Sequence, residues 1–300
     1  MDNKKRPNPF AEARNFRENH RQKTARLSPQ VEKIIRDIKS IKIQGARNIA
    51  KSALYAYSLM PEKDIKEKLI SARPTEPMLI NVLNMLDKKN NYDKIFSHFD
   101  SAQSKINQNV YKLIKNKTII FTHCHSTNVT NALIYSHKKG KKFQVYNTET
   151  RPLFQGRRTA KELSKAGIDV TNFVDSAINI ALEGDQTPSE EKQCNKKVDL
   201  ILIGSDAILK TGVINKVGSG MIAQLASLHK IPVYIVADSW KFFPKKLELE
   251  QRDFREVWKR VPRHIKVRNP AFEFVDKKYI TGIISELGIL KFEEFIKKVS

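Results

Sequence analysis

The hydrophobic period changes once along this chain, close to Asn116, and that change constrains the fold more than any other feature. Before it, Val31, Ile34, Ile35, Ile38 and Ile41 repeat at helical spacing, as do Leu79, Val82, Leu83 and Leu86. Such stripes bury one face of a helix. After it come short β-branched and aromatic runs at 118–122, 143–146, 168–173, 198–203 and 233–236. Helix-like segments at 127–137, 159–166, 176–182 and 214–229 separate them. Strands that alternate with helices need crossover connections and so form a parallel sheet. The expected architecture is α/β: a helical domain over 29–115, then a doubly wound, Rossmann-like sheet domain over 116–300. Ligands bind such sheets outside the carboxyl ends of the strands. Residues 1–28 form a basic tail with Pro7 and Pro9 and little apolar pattern, expected to be disordered.

Composition narrows the class. With 40% hydrophobic and 29% charged residues the chain reads as globular, and no run approaches the roughly 20 apolar residues of a membrane helix. The first residues are basic and polar, which predicts no secretory signal. Two cysteines, Cys124 and Cys194, are too few for a disulfide framework, and a reducing cytoplasm is the expected compartment. The net charge of +23 is spread along the whole chain. It suits a phosphorylated ligand together with solubility, and leaves nucleic-acid contact through the tail open.

Three segments carry chemistry. Just past the first strand lies Thr122-His123-Cys124-His125-Ser126-Thr127-Asn128. Ser126, Thr127 and Asn128 are helix-capping types, and a helix N-terminus favours phosphate and lowers a nearby thiol's pKa. Cys124 is therefore a candidate general base, with a buried structural cysteine as the alternative. His123 and His125 flank it, but adjacent side chains of a strand point to opposite faces, a poor chelate, so no metal is expected. Past the fourth strand, Asp206 follows a nearly apolar run, where partial burial raises a carboxyl pKa and suits a general acid. A simple turn cap is the alternative. Beyond it, Gly218 and Gly220 permit close backbone approach, and Lys216 offers a point charge to phosphate. Neither a Walker A loop nor a dinucleotide fingerprint is present.

Taken together, T-H-C-H-S at 122–126, T-E-T-R-P-L-F-Q-G-R at 148–157, G-S-D-A-I at 204–208, G-V-I-N-K-V-G-S at 212–219, W-K-F-F-P at 240–244 and R-N-P-A-F-E at 268–273 resemble the eukaryotic initiation factor 2B alpha/beta/delta superfamily. That superfamily also contains sugar-phosphate isomerases, which retention of both Cys124 and Asp206 resembles, and the H-C-H-S context and modest length resemble the ribose 1,5-bisphosphate isomerase branch. The resemblance spans roughly 30–290. It implies an aldose–ketose conversion of ribose 1,5-bisphosphate to ribulose 1,5-bisphosphate in AMP and nucleoside salvage, without cofactor or metal. Cys124 and Asp206 would be the proton-transfer pair. Substrate contacts would come from Gly45, Ala46, Arg47, Arg73, Ser126, Thr127, Asn128, Arg151, Gln155, Asn215, Lys216 and Lys241. Gln44 stands where family isomerases carry arginine, with Arg47, one residue beyond Ala46, as the substitute cation. The resemblance further implies a cytoplasmic homo-oligomer, dimer or hexamer, and admits AMP as an effector. The other readings are a non-catalytic regulatory subunit like those of the translation factor, or a related sugar-1-phosphate isomerase.

Overall fold

The computed structural model describes residues 27–89, 92–184, 196–245, 247 and 249–300. Nearly all of the basic tail, and Cys194, lie outside the described residues. The chain forms two compact units, up to Asp100 and from Ser101.

The first unit is helical, as its periodicity predicts. Helices α1 (Pro29–Lys39), α2 (Ala46–Leu59), α3 (Lys63–Ala72) and α4 (Pro77–Lys89) precede α5 (Tyr92–Leu113), inside which the two units divide. Prolines open α1 and α4, where a missing N–H costs nothing. On α1, Val31 and Ile38 are fully buried, while Ile34 and Ile35 are half-buried and Ile41 falls beyond the helix end. Leu79, Val82, Leu83 and Leu86 on α4 bury completely, as does Leu54 on α2.

The second unit holds a seven-stranded sheet in the order β10-β9-β7-β4-β1-β2-β3. Its strands are β1 (Ile119–Thr122), β2 (Gln144–Thr148), β3 (Asp169–Phe173), β4 (Leu200–Ile203), β7 (Val233–Val236), β9 (Gly282–Ser285) and β10 (Gly288–Leu290). All neighbours run parallel except β9 and β10. Helices α6 (Thr127–Lys138), α7 (Gln155–Lys165), α8 (Ile178–Glu183), α9 (Ser219–Leu228) and α10 (Phe292–Val299) complete the unit.

The sheet is covered on both faces, because successive residues point to opposite sides. Ile119, Phe121, Ile201 and Ile203 join a core that includes Ala181, Ile222, Ala226 and Phe295 from α8, α9 and α10. Ile120, Leu200 and Leu202 join another with Ile106, Val110, Val129, Leu133 and Leu163 from α5, α6 and α7. Burying both strand faces explains why the runs read as continuously apolar.

A second, three-stranded sheet corrects the sequence reading. β5 (Ala207–Ile208), β6 (Gly212–Lys216) and β8 (Phe272–Asp276) pair antiparallel. The helix expected over 214–229 therefore begins only at Ser219, and Asn215 and Lys216 lie on a strand. The run Val213-Ile214-Asn215-Lys216 has a helix-like apolar start, but the partner that makes it a strand comes from the sequence-distant 272–276.

Candidate active site

β1 and β4 lie side by side at the centre of the sheet, with Phe121 paired to Ile201. From β1 the chain winds outward through β2 and β3, whereas from β4 it winds the other way through β7 and β9. The crevice where winding reverses is where such folds hold ligands. Cys124 follows β1 and Asp206 follows β4, so both sit at this point. The two loops meet closely: a Cβ on Gly204 would lie 2.6 Å from Ser126 Oγ. Glycine at 204 is what lets the end of β4 approach the start of α6. Ser126 caps that helix, its hydroxyl 3.5 Å from the Val129 amide.

Cys124 has φ +63°, a left-handed conformation uncommon outside glycine and concentrated at functional sites. Neighbouring hydroxyls hold it there. Its amide donates to Thr150 Oγ1 at 3.1 Å, and the Thr159 hydroxyl donates to its carbonyl at 2.8 Å. The Asp175 carboxylate in turn accepts the Thr150 and Arg151 amides at 2.8 and 2.6 Å. Burial pushes the Cys124 thiol up to about 12, against the opposing pull of the His125 amide and the Lys216 charge; Asp206 and Asp175 push it further up. The thiolate expected from the helix N-terminus is thus corrected: desolvation outweighs it, and the resting thiol keeps its proton.

Lys216, Asp206 and Cys124 act electrostatically on one another. Burial lowers the Lys216 pKa, while Cys124, Glu256 and Asp206 pull it up and Arg252 pushes it down. Lys241 is also buried and donates through Nζ to the Ser205 carbonyl, beside Asp206. Asn215 donates to Ser219 Oγ at 2.8 Å, and that hydroxyl donates to the Lys216 carbonyl at 2.7 Å. Asn128 is turned to α5, its amide 3.0 Å from Gln103 Oε1. On the loop after β2, Arg151 reaches the Val257 carbonyl at 3.4 Å. Gln155 Oε1 is buried without a hydrogen-bond partner, a group with unused capacity for a ligand. Thr127 opens α6 and is half-buried.

The glycines of 218–220 serve a different purpose from the expected one. Glu273 Oε1 accepts the amides of Gly218 and Gly220 at 2.6 and 2.7 Å, so a protein carboxylate occupies the N-terminus of α9 where phosphate was expected. A Cβ on Gly220 would lie 3.3 Å from that carboxylate, and one on Gly218 would lie 2.9 Å from His123 Nε2. Both glycines admit side chains of the protein itself.

Sequence reasoning also missed Arg252 and Glu256, a forked ion pair with Nε–Oε2 at 2.9 Å, to which Asn269 adds a bond of 3.1 Å. Asn269 and Glu273 fall within the 268–273 motif, so their segment was visible while their contacts were not. His125 Nδ1 lies 3.0 Å from Thr159 Oγ1, away from the partners of His123.

The remaining expected contacts belong to the helical unit. Gly45, with φ +84°, precedes Ala46 at the start of α2. The Arg47 guanidinium pairs with Asp100, Gln44 donates to the Ile41 carbonyl at 3.1 Å, and Arg73 is buried at the end of α3.

A helical unit followed by a doubly wound sheet, with the loops of Cys124 and Asp206 meeting where the winding reverses, defines a Rossmann-like α/β protein with a candidate site at the switch point. A profile of the Initiation factor 2 subunit family matches residues 47–292, and the chain belongs to that family. It is 34% identical to a ribose 1,5-bisphosphate isomerase of Methanocaldococcus jannaschii, over 84% of this chain and 89% of that one. It is 32% identical to a methylthioribose-1-phosphate isomerase of Fervidobacterium nodosum, over 86% of this chain and 81% of the other. Among solved structures, translation initiation factor eIF-2B of Pyrococcus horikoshii superposes with a TM-score of 0.75 at 25% identity, covering 88% of this chain and 98% of that one.

Proposed function

We propose that this protein is a sugar-phosphate isomerase that converts ribose 1,5-bisphosphate to ribulose 1,5-bisphosphate, with Cys124 and Asp206 as the proton-transfer pair. The observation that carries the reading is the placement of Cys124 after β1 and Asp206 after β4, where the winding of the sheet reverses, with the Lys216 charge acting on both. Relatives named as ribose 1,5-bisphosphate isomerases support the substrate. The buried Lys216 and Lys241 supply charge for phosphate.

The reaction closes its own proton balance. A phosphate on C1 locks the ring as an acetal. Asp206, as the acid, protonates the ring oxygen and the C1–O4 bond breaks. The Cys124 thiolate removes the proton from C2, leaving an enol between C1 and C2. The same thiol returns that proton to C1, and Asp206 takes the proton from the C2 hydroxyl as the ketone forms. The cycle starts with the proton on Asp206 and the charge on Cys124, and the Lys216 charge offsets the cost of that thiolate. The Gln155 amide supplies an acceptor for a sugar hydroxyl. From the sequence resemblance, the same reading carries a cytoplasmic homo-oligomer working in AMP salvage.

The test offers purified protein ribose 1,5-bisphosphate, methylthioribose 1-phosphate and 5-deoxyribose 1-phosphate in parallel, with products identified by NMR. The expected result is ribulose 1,5-bisphosphate, with a kcat/KM at least about tenfold above either monophosphate, the discrimination expected of a charged group bound in a dedicated site. A preference for a monophosphate would reassign the substrate. No turnover of any of the three by folded protein would favour the regulatory reading.

A further inference from the structure

His123 is buried at the end of β1, and both ring nitrogens are engaged. Nε2 lies 2.9 Å from the Val217 carbonyl oxygen, which can only accept, so Nε2 carries the proton. Nδ1 therefore accepts, from the Thr148 hydroxyl at 2.7 Å. The ring is enclosed tightly enough that a Cβ on Gly218, whose φ is +104°, would fall 2.9 Å from Nε2. Each contact ties the Cys124 loop to a different strand end: Thr148 closes β2, and Val217 directly follows Lys216 at the end of β6. Val217 is anchored again through its amide, which donates to the Ala271 carbonyl at 3.1 Å.

We infer that His123 is a positioning residue: its neutral imidazole, protonated at Nε2, fixes the distance between the Cys124 sulfur and the Lys216 ammonium by bridging β1 to the turn after β6. This deepens the isomerase reading and rests on it for the roles of Cys124 and Lys216. The bridge itself stands on geometry alone. Sub-ångström placement of a charge against a reacting group carries large rate effects, and a rigid, buried, doubly bonded ring on a strand end is suited to holding such a placement. The imidazole does not touch the reacting atoms; it acts through Val217 and Lys216.

Three variants separate the two ring contacts. In His123→Gln the amide nitrogen stands in for Nε2–H and can still donate to Val217. In His123→Asn the amide reaches only the Thr148 side, and His123→Ala keeps neither contact. The expected kinetic order on ribose 1,5-bisphosphate is wild type, then His123→Gln within about threefold in kcat, then His123→Asn and His123→Ala down about 10- to 100-fold in kcat with KM within about threefold. Rates are normalised to the folded fraction measured by circular dichroism, so a purely structural role would leave the corrected kcat unchanged in all three. That result would overturn the inference, as would His123→Asn matching or exceeding His123→Gln. An arm that needs no turnover records the imidazole nitrogens by 15N NMR. A protonated Nε2 and a bare Nδ1 are expected, and the opposite tautomer would overturn the bridge. If wild type has no isomerase activity but shows the expected tautomer, the functional reading fails while the bridge stands.

Discussion

Glu273 Oε1 accepts the amide of Gly218 at 2.6 Å, so a carboxylate from β8 supplies the negative charge at the first turn of α9. The same oxygen holds the Gly220 amide. These are charge-assisted bonds at a helix N-terminus. Glu273→Gln is expected to lower unfolding free energy by about 1–2 kcal/mol, read as a shift of the denaturant midpoint. An unchanged midpoint would contradict the assignment.

Gly204 and Ser126 form a second close approach, where no side chain fits at 204 without displacing Ser126. Gly204→Ala is expected to cost about 1–3 kcal/mol by overpacking. Adding Ser126→Gly removes the obstructing atoms, so the double variant should recover part of that loss against the sum of the two singles. Strict additivity in a double-mutant cycle would sink this explanation.

Stability toward acid follows from two histidines, His123 buried and His125 half-buried. Burial lowers the pKa of His123, and burial followed by Arg158 lowers that of His125, below the ordinary 6.5. The unfolded chain takes up protons as pH falls through about 6.5, while the folded chain resists them. Their contribution is complete above that pH and is lost as pH drops toward the folded-state values. The denaturation midpoint of wild type should therefore fall between about pH 7 and 5.5, and less steeply in His123→Gln. Parallel curves for the two proteins would count against a buried, neutral His123.

The Cys124 thiol behaves oppositely to an activated one. Its folded value of about 12 lies above the ordinary 9.0, so the unfolded chain releases this proton first and stability drains away as pH rises from 9 toward 12. Alkylation by iodoacetamide at pH 8, followed at Cys124 by mass spectrometry, should be at least about tenfold slower in folded protein than in denaturant. Equal rates would refute the protonated thiol.

Much of this organisation was legible in the sequence. The five expected strand runs all became strands of the large sheet, and the central ones, buried on both faces, leave continuous β-branched and aliphatic segments such as 200–203, whereas the edge strand β3 is largely exposed. Cys124 and Asp206 were findable for the same reason, as polar residues directly after such runs. Contacts between distant segments were hidden. Nothing near residue 214 shows that 272–276 pairs with it, and a glycine pair reads identically whether the approaching anion is a phosphate or Glu273. The thiol's charge state was misjudged because a helix N-terminus is visible in sequence, whereas the burial that overrides it belongs to the packed structure. His123 was considered only as a metal ligand, since its partners, Thr148 and Val217, come from two other strand ends.

The most direct measurement compares turnover of ribose 1,5-bisphosphate by wild type, Cys124→Ser and Asp206→Asn, with folding verified for each. Loss of about 10²–10⁴-fold or more in kcat is expected for both variants, the scale of positioned acid–base catalysis. An active wild type whose rate survives either substitution would contradict proton transfer to and from the sugar by Cys124 and Asp206 at the switch point.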